Sequence, residues 1–170
     1  MEGALTLHLT KEIYTFIKDE KFDEVIVILS DFLKQFPRRR EVLSLLAYCY
    51  YRVEDFDSAA DLYQKMATIT KNPKYLLSQA KSLFKSGRYS EAERICIGVS
   101  EGEYRAEVSL LKASLNYERG ELKQAEFHLN ETSSSGGDHI GSLICQGCVQ
   151  YKRGKFQEAL EIFNRAKTEG

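Results

Sequence analysis

Few residues of this chain have types and spacings suited to chemistry. Cys145-Gln146-Gly147-Cys148 has the spacing of two metal ligands. A tetrahedral site needs four, and no second Cys pair or His pair stands at a matching distance, so the cysteines read as small residues of a buried helix. His8, His128 and His139 lack a nucleophile and a carboxylate spaced so that a triad can be argued. A phosphate-cradling glycine loop is missing too. Arg38-Arg39-Arg40 reads as a solvated turn, with a docking point for an acidic partner as the other reading. The expectation is a chain with no catalytic residue, cofactor or metal.

What does recur is a stripe of large apolar side chains: Ile17, Tyr51, Phe84, Tyr117 and Tyr151, at steps of 34, 33, 33 and 34. One position later come Lys18, Arg52, Lys85, Glu118 and Lys152, four of them basic. Rings beside cations suit an extended peptide with apolar or proline side chains and some acidic character, because prolines stack on aromatics at little ordering cost. The bland alternatives are a structural tyrosine and an ordinary solvated charged edge. Tyr48, one helical turn before Tyr51, joins the candidate peptide-contacting set.

A stripe with such a period needs a repeating scaffold to carry it. An aromatic or leucine followed three residues later by Val or Ala occurs five times, at Phe22/Val25, Phe56/Ala59, Tyr89/Ala92, Leu122/Ala125 and Phe156/Ala159. Twelve positions before the second member of those pairs stand Ala47, Ala80, Ala113 and Gly147, with Ile13 the exception, so that two helices can approach closely. The intervening turns carry Gly87, Gly120 and Gly154, suited to positive φ, and Glu20 and Glu54 in the first two repeats. Asp23, Asp57 and Ser90 are expected to cap the second helices, Ser90 and Glu93 fitting a capping box. Pro37 and Pro73 are expected to close the first two repeats.

This is the period of a tetratricopeptide repeat (TPR). It predicts an all-α, right-handed α-solenoid of about five helix-turn-helix repeats, near residues 6–39, 40–72, 73–105, 106–138 and 139–170, in one superhelical domain. Thr132 to Gly137 reads as the clearest flexible connection. Leu29, Phe32, Tyr63, Met66, Cys96, Val99, Leu129 and Phe163 are expected to bury between repeats.

The 170 residues and the balanced charge, −1 with pI about 6.3, allow one continuous core and give no field to gather phosphates. Nucleic acid is not expected as a partner. No apolar run is long enough for a membrane span, no secretory signal pattern opens the chain, and the four cysteines fit reduced thiols, so the reading is soluble and intracellular.

Some stretches are more specific than a generic TPR. Leu43-Ser44-Leu45-Leu46-Ala47-Tyr48-Cys49-Tyr50-Tyr51-Arg52, then Asp55-Phe56 and Ala59-Ala60-Asp61-Leu62-Tyr63, closely resembles the second repeat of the fleer family, or tetratricopeptide repeat protein 30. Similar stretches follow at Gln79-Ala80, Leu83-Phe84-Lys85, Tyr89-Ser90-Glu91-Ala92, Tyr117-Glu118-Arg119-Gly120-Glu121-Leu122 and Gln146-Gly147-Cys148 with Tyr151-Lys152. That family supplies the TPR subunit of the intraflagellar transport B complex.

The resemblance implies a non-catalytic scaffold in the cilium or flagellum (axoneme, basal body) and cytoplasm. It would enclose a proline-containing segment of another core subunit, contact ciliary motors or cargo, and serve cilium assembly and, through cargo transport, axonemal tubulin polyglutamylation. The family's proteins have more repeats than five, which makes this chain look like an N-terminal piece; Leu160, Phe163 and Ala166 would present an apolar face at its end.

Two other readings compete. A TPR co-chaperone or adaptor binding acidic C-terminal peptides uses paired asparagines and lysines, where this chain has Tyr14, Leu45, Tyr48 and Ser78. An enzyme with its catalytic domain beyond the repeats would use them to select substrate.

Overall fold

With apolar residues at helical spacing and only two prolines, the segments between turns have little alternative to helix. The computed structural model describes the backbone of residues 2–99, 102–134 and 139–169, and within these the side chains from residue 10 onward except 133, 134 and 139. Among the described residues it has ten α-helices and no strand. They are α1 (Glu2–Lys18), α2 (Phe22–Gln35), α3 (Arg40–Arg52), α4 (Phe56–Thr70), α5 (Pro73–Lys85), α6 (Tyr89–Gly98), α7 (Arg105–Glu118), α8 (Leu122–Ser134), α9 (His139–Lys152) and α10 (Phe156–Glu169). The helices form five successive pairs, α1 starting at Glu2 and α7 at Arg105, each ahead of the repeat start expected at 6 and 106.

The turn between the two helices of a pair has one conformation in all five places. Gly87, Gly120 and Gly154 lie at φ +80°, +80° and +77°, and Glu20 and Glu54 take the same left-handed region at 57° and 64°. Glutamate there costs the strain that glycine avoids. Each second helix starts at the turn aromatic or leucine itself, one residue earlier than the expected caps. Asp23, Asp57 and Ser90 therefore sit inside the first turn. Asp55 caps α4 instead, its Oδ1 accepting from the Ser58 N–H at 3.1 Å, and Glu93 is drawn to Arg119 rather than into a capping box.

Pro37 follows the end of α2, as expected. Pro73 does not close the second repeat: it opens α5, where its missing N–H is no loss, and Asn72 caps that helix by accepting from Lys74 N–H at 2.9 Å. What ends α4 is Lys71, left-handed at φ 57°. The expected Thr132–Gly137 connection is partly helix, because Thr132 is buried and its hydroxyl donates to the His128 carbonyl at 3.0 Å. Residues 135–137 lie outside the described residues.

The chain divides into two units, Met1–Ser86 and Gly87–Gly170, parting at the turn after α5. In the first, Ile13, Val25, Leu29, Leu43, Leu46, Leu62 and Met66 form the core. In the second, Ala113, Ala125, Leu129 and Val149 form a cluster against which Leu110, Leu122 and Cys145 pack. The small residues of the later pairs are enclosed: Ala47, Ala80 and Ala113 are fully buried, and an added Cβ on Gly147 would meet the Phe163 ring. Phe163 is half-buried on that glycine, Ala166 is buried, and Leu160 stands out in solvent.

Cys49, Cys96, Cys145 and Cys148 are free thiols. Burial pushes the first three up to about 11, so at neutral pH they are weak metal ligands.

In the second unit Arg119 makes two parallel bonds to Glu93, at 3.0 and 2.7 Å. That hydrogen bonding holds the Glu93 carboxyl below its ordinary value. A depressed carboxyl stabilises the fold above the ordinary carboxylate range, and the contribution fades as pH falls through its folded value. With both side chains partly in water, Arg119→Ala is expected to cost less than about 1 kcal/mol at pH 7. Urea midpoints at pH 7 and at about pH 3 check this, the gap to the parent chain closing at the lower pH.

Candidate peptide-binding site

The first unit holds a cavity of about 700 Å3 walled by its first five helices. Tyrosines reach it from four of them: Tyr14 on α1, Tyr48 on α3, Tyr63 on α4 and Tyr75 on α5, with Phe32 on α2. Helix geometry puts residues three or four apart on one face, so α3 contributes Leu45 and Tyr48 together and α5 contributes Tyr75 and Ser78. The four inward places compared above with an asparagine clamp, Tyr14, Leu45, Tyr48 and Ser78, thus all line it.

Tyr14 is 65% exposed and Tyr48 37%. Tyr63 lies deeper, and burial first, with Tyr51, Tyr48 and Tyr75 close by, pushes its phenol up to about 12. It remains a neutral hydroxyl, able to donate one hydrogen bond from an otherwise apolar wall. Such a surface, rings with sparse hydroxyls and few charges, suits an apolar or proline-bearing chain better than a small ionic ligand.

The stripe expected from the period lies elsewhere on the first helices of the pairs. In the first unit, Ile17 packs on the core cluster. The Tyr51 ring rests edge-on against Phe56, 5.3 Å between centroids at 70°. In the second unit Tyr151 and Phe156 repeat that arrangement at 5.2 Å and 64°. The ring five residues before the turn therefore braces the turn aromatic of its own hairpin. Phe84 is half-buried, and Tyr117 packs on the second unit's core.

Two of the four candidate cations are engaged within their own unit. The Arg52 guanidinium lies over the rings of Phe22 (4.7 Å) and Tyr48 (5.8 Å). It donates to the Tyr48 hydroxyl at 2.9 Å and to Glu20 at 3.1 Å. Lys152 sits 3.9 Å above the Tyr117 ring and donates to its carbonyl at 2.9 Å. Lys18 and Lys85 are exposed.

Of the ten residues singled out from the sequence, Tyr48 is the one that lines this cavity. Phe32 and Tyr63, assigned to the inter-repeat core, also line it, and Tyr75 was not anticipated. For Tyr63 the available signal was a half-polar tyrosine on a second helix, where the first and fourth repeats place Leu29 and Leu129.

Among the described residues no three His, Cys, Asp or Glu side chains gather into a metal-binding group. His128 contacts Glu131 at 2.9 Å. The side chains of His8 and His139 lie outside the described residues. No helix among the described residues is long and apolar enough to cross a membrane.

Comparison with solved structures shows the fold. The chain superposes on the MamA protein with a TM-score of 0.72 and 17% identity, covering 98% of this chain and 91% of that one. For a tetratricopeptide repeat protein from Parabacteroides merdae the TM-score is 0.76, at 15% identity over 94% of this chain and 63% of that one. The fold is an all-α TPR solenoid.

Among curated proteins it is 33% identical over 162 residues to intraflagellar transport protein 70A2 of Rattus norvegicus, covering 91% of this chain and 24% of the relative. It is 36% identical over 155 residues to intraflagellar transport protein 70A of Xenopus tropicalis, covering 91% and 23%. The chain thus spans about a quarter of the length of these relatives. The family model described as intraflagellar transport protein 56 matches residues 43–170, from within α3 through α10. From the period of its helix pairs to that match, the chain belongs to the intraflagellar transport protein 56 family of TPR proteins.

Proposed function

We propose that this chain is a piece of a longer, non-catalytic scaffold of the intraflagellar transport B complex, of the tetratricopeptide repeat protein 30 (fleer) type. It holds a proline-containing segment of another core subunit on the inner face of its repeats. Its place is the cilium or flagellum and the cytoplasm, and its role is cilium assembly and, through cargo transport, tubulin polyglutamylation of the axoneme. The subtype is supported by identities of 33 and 36% to intraflagellar transport proteins 70A2 and 70A.

The observation that carries the binding role is the tyrosine-lined cavity of the first unit, with Tyr14 and Tyr48 open to solvent. Rings in this arrangement stack on prolines, which lose little entropy on ordering. Tyr14→Ala combined with Tyr48→Ala removes exposed rings and is expected to leave helicity by circular dichroism unchanged. In a pull-down from ciliated cells read by mass spectrometry, the double variant is expected to capture intraflagellar transport core subunits about tenfold less than the parent chain. Equal capture would show that the cavity holds no partner.

A further inference from the structure

The charged groups around the first unit's cavity are unevenly matched. Among the described lining residues Glu41 is the carboxylate, and Arg39 Nε lies 3.9 Å from it, so that pair offsets itself. Lys74 lines the same cavity from the first turn of α5, a turn with no acidic residue. Its ammonium makes no ion pair among the described residues.

The placement runs against the usual electrostatics of helix ends. Unpaired N–H groups give a helix N-terminus partial positive charge, so acidic side chains are favoured there and cations are not. Here Arg39 stands immediately before α3, without a side-chain cap, and Lys74 is the second residue of α5. The first turn of α3 offsets Arg39 with Glu41, whereas that of α5 holds no acidic residue, so Lys74 is the cation left over at the aromatic cavity among the described residues. With Asn72 capping α5 and Glu41 in the first turn of α3, an incoming carboxylate is met by the Lys74 ammonium, which has no ion pair among the described residues, and an incoming cation is repelled by it. Two cations against one anion are too few for a phosphate backbone, which needs many contacts to bind.

We propose that the cavity takes a short acidic segment of a partner polypeptide. An apolar or proline side chain enters among Tyr14, Tyr48, Tyr63 and Tyr75, and a neighbouring Asp or Glu side chain pairs with Lys74 on the rim beside Arg39. The inference rests on the binding role above and adds to it the charge of the occupant. The carboxylate is a side chain within the partner, not its chain end, because the inward places hold tyrosine, leucine and serine rather than the amides that clamp a terminal carboxylate.

Fluorescence anisotropy on the 170-residue chain tests this with three labelled hexapeptides. The first has Pro-Leu between two glutamates and both termini blocked, the second has glutamine for both glutamates, and the third is the glutamine peptide with a free C-terminal carboxylate. The glutamate peptide is expected to bind about fivefold or more tighter than either of the others at about 50 mM salt, with the gap narrowing at about 300 mM. Lys74→Gln is expected to abolish most of the preference, and Tyr48→Ala to weaken all three peptides alike.

Equal binding of the two blocked peptides, or a preference that survives Lys74→Gln, overturns the acidic occupant while leaving the scaffold role standing. Tightest binding by the free carboxylate overturns it in favour of a chain-end clamp. No binding of any peptide at about 1 mM overturns the inference, and the scaffold role falls with it only if the Tyr14/Tyr48 double variant also captures core subunits undiminished.

Discussion

Gly147→Val is expected to destabilise the second unit by about 3 kcal/mol, as an overpacked helix contact with added β-branching. A Cβ at this position would stand 2.5 Å from Phe163 Cε1 and 2.8 Å from its Cδ1 and Cζ. No carbon atoms approach so closely, so the ring must leave the face of α9 and give up the cover it now supplies. In the corresponding places of the preceding three hairpins the residue is alanine, fully buried each time, so a methyl group is accepted at those positions.

Urea unfolding followed by circular dichroism reads the loss. A second background decides the cause: with Phe163→Ala in place, Gly147→Ala is expected to become stabilising by up to about 1 kcal/mol, since the helix propensity of alanine is then no longer opposed by the ring. A cost of Gly147→Val that is the same with and without the ring would remove Phe163 from the explanation.

Leu43→Ala in the first unit is expected to cost about 3 kcal/mol, within the range for emptying a filled core site. Leu43 is 1% exposed and belongs to the cluster that joins α1, α2, α3 and α4. Leu160→Ala is the contrast, because Leu160 is 53% exposed on α10 and less apolar area leaves water there; its cost is expected to stay under about 1 kcal/mol. A Leu43→Ala chain with an unchanged urea midpoint would mean that the cavity left behind collapses without loss.

The scaffold was legible because its information is periodic. Ala47, Ala80, Ala113 and Gly147 had to be small for two helices to meet, and the turn residues had to reach positive φ, so type and spacing announce the hairpins together. The local starts were less legible. Asp23, Asp57 and Ser90 have the chemistry of a cap, yet the helix begins one residue sooner, at a turn aromatic that is buried at Phe22 and half-buried at Phe56 and Tyr89. Pro73 has two helix-compatible roles, stop and start, and Asn72 just before it selected the second.

The candidate site was legible only in part, for a reason of geometry. The period identified side chains that share a register, but not that some of them rest on a ring of the same hairpin, as Tyr151 does while remaining 60% exposed. Tyr51 and Tyr151 each have a phenylalanine five residues on, and both lean on it. Tyr63 belongs to a second helix, where the pattern predicts core, and its exposure to the cavity depends on the space left by Tyr48 and Tyr75. Charge was harder still. Arg52 is consumed by Phe22, Tyr48 and Glu20, whereas Lys74 keeps its charge unmatched, and sequence spacing does not separate the two.

The buried sulfurs have a practical consequence. Alkylation and oxidation proceed through the thiolate, and thiols held near 11 supply very little of it at neutral pH. Cys49 is fully buried in the first unit and Cys96 in the second. Their rates of labelling therefore clock how often each unit breathes, making the native chain its own built-in stopwatch without any introduced probe.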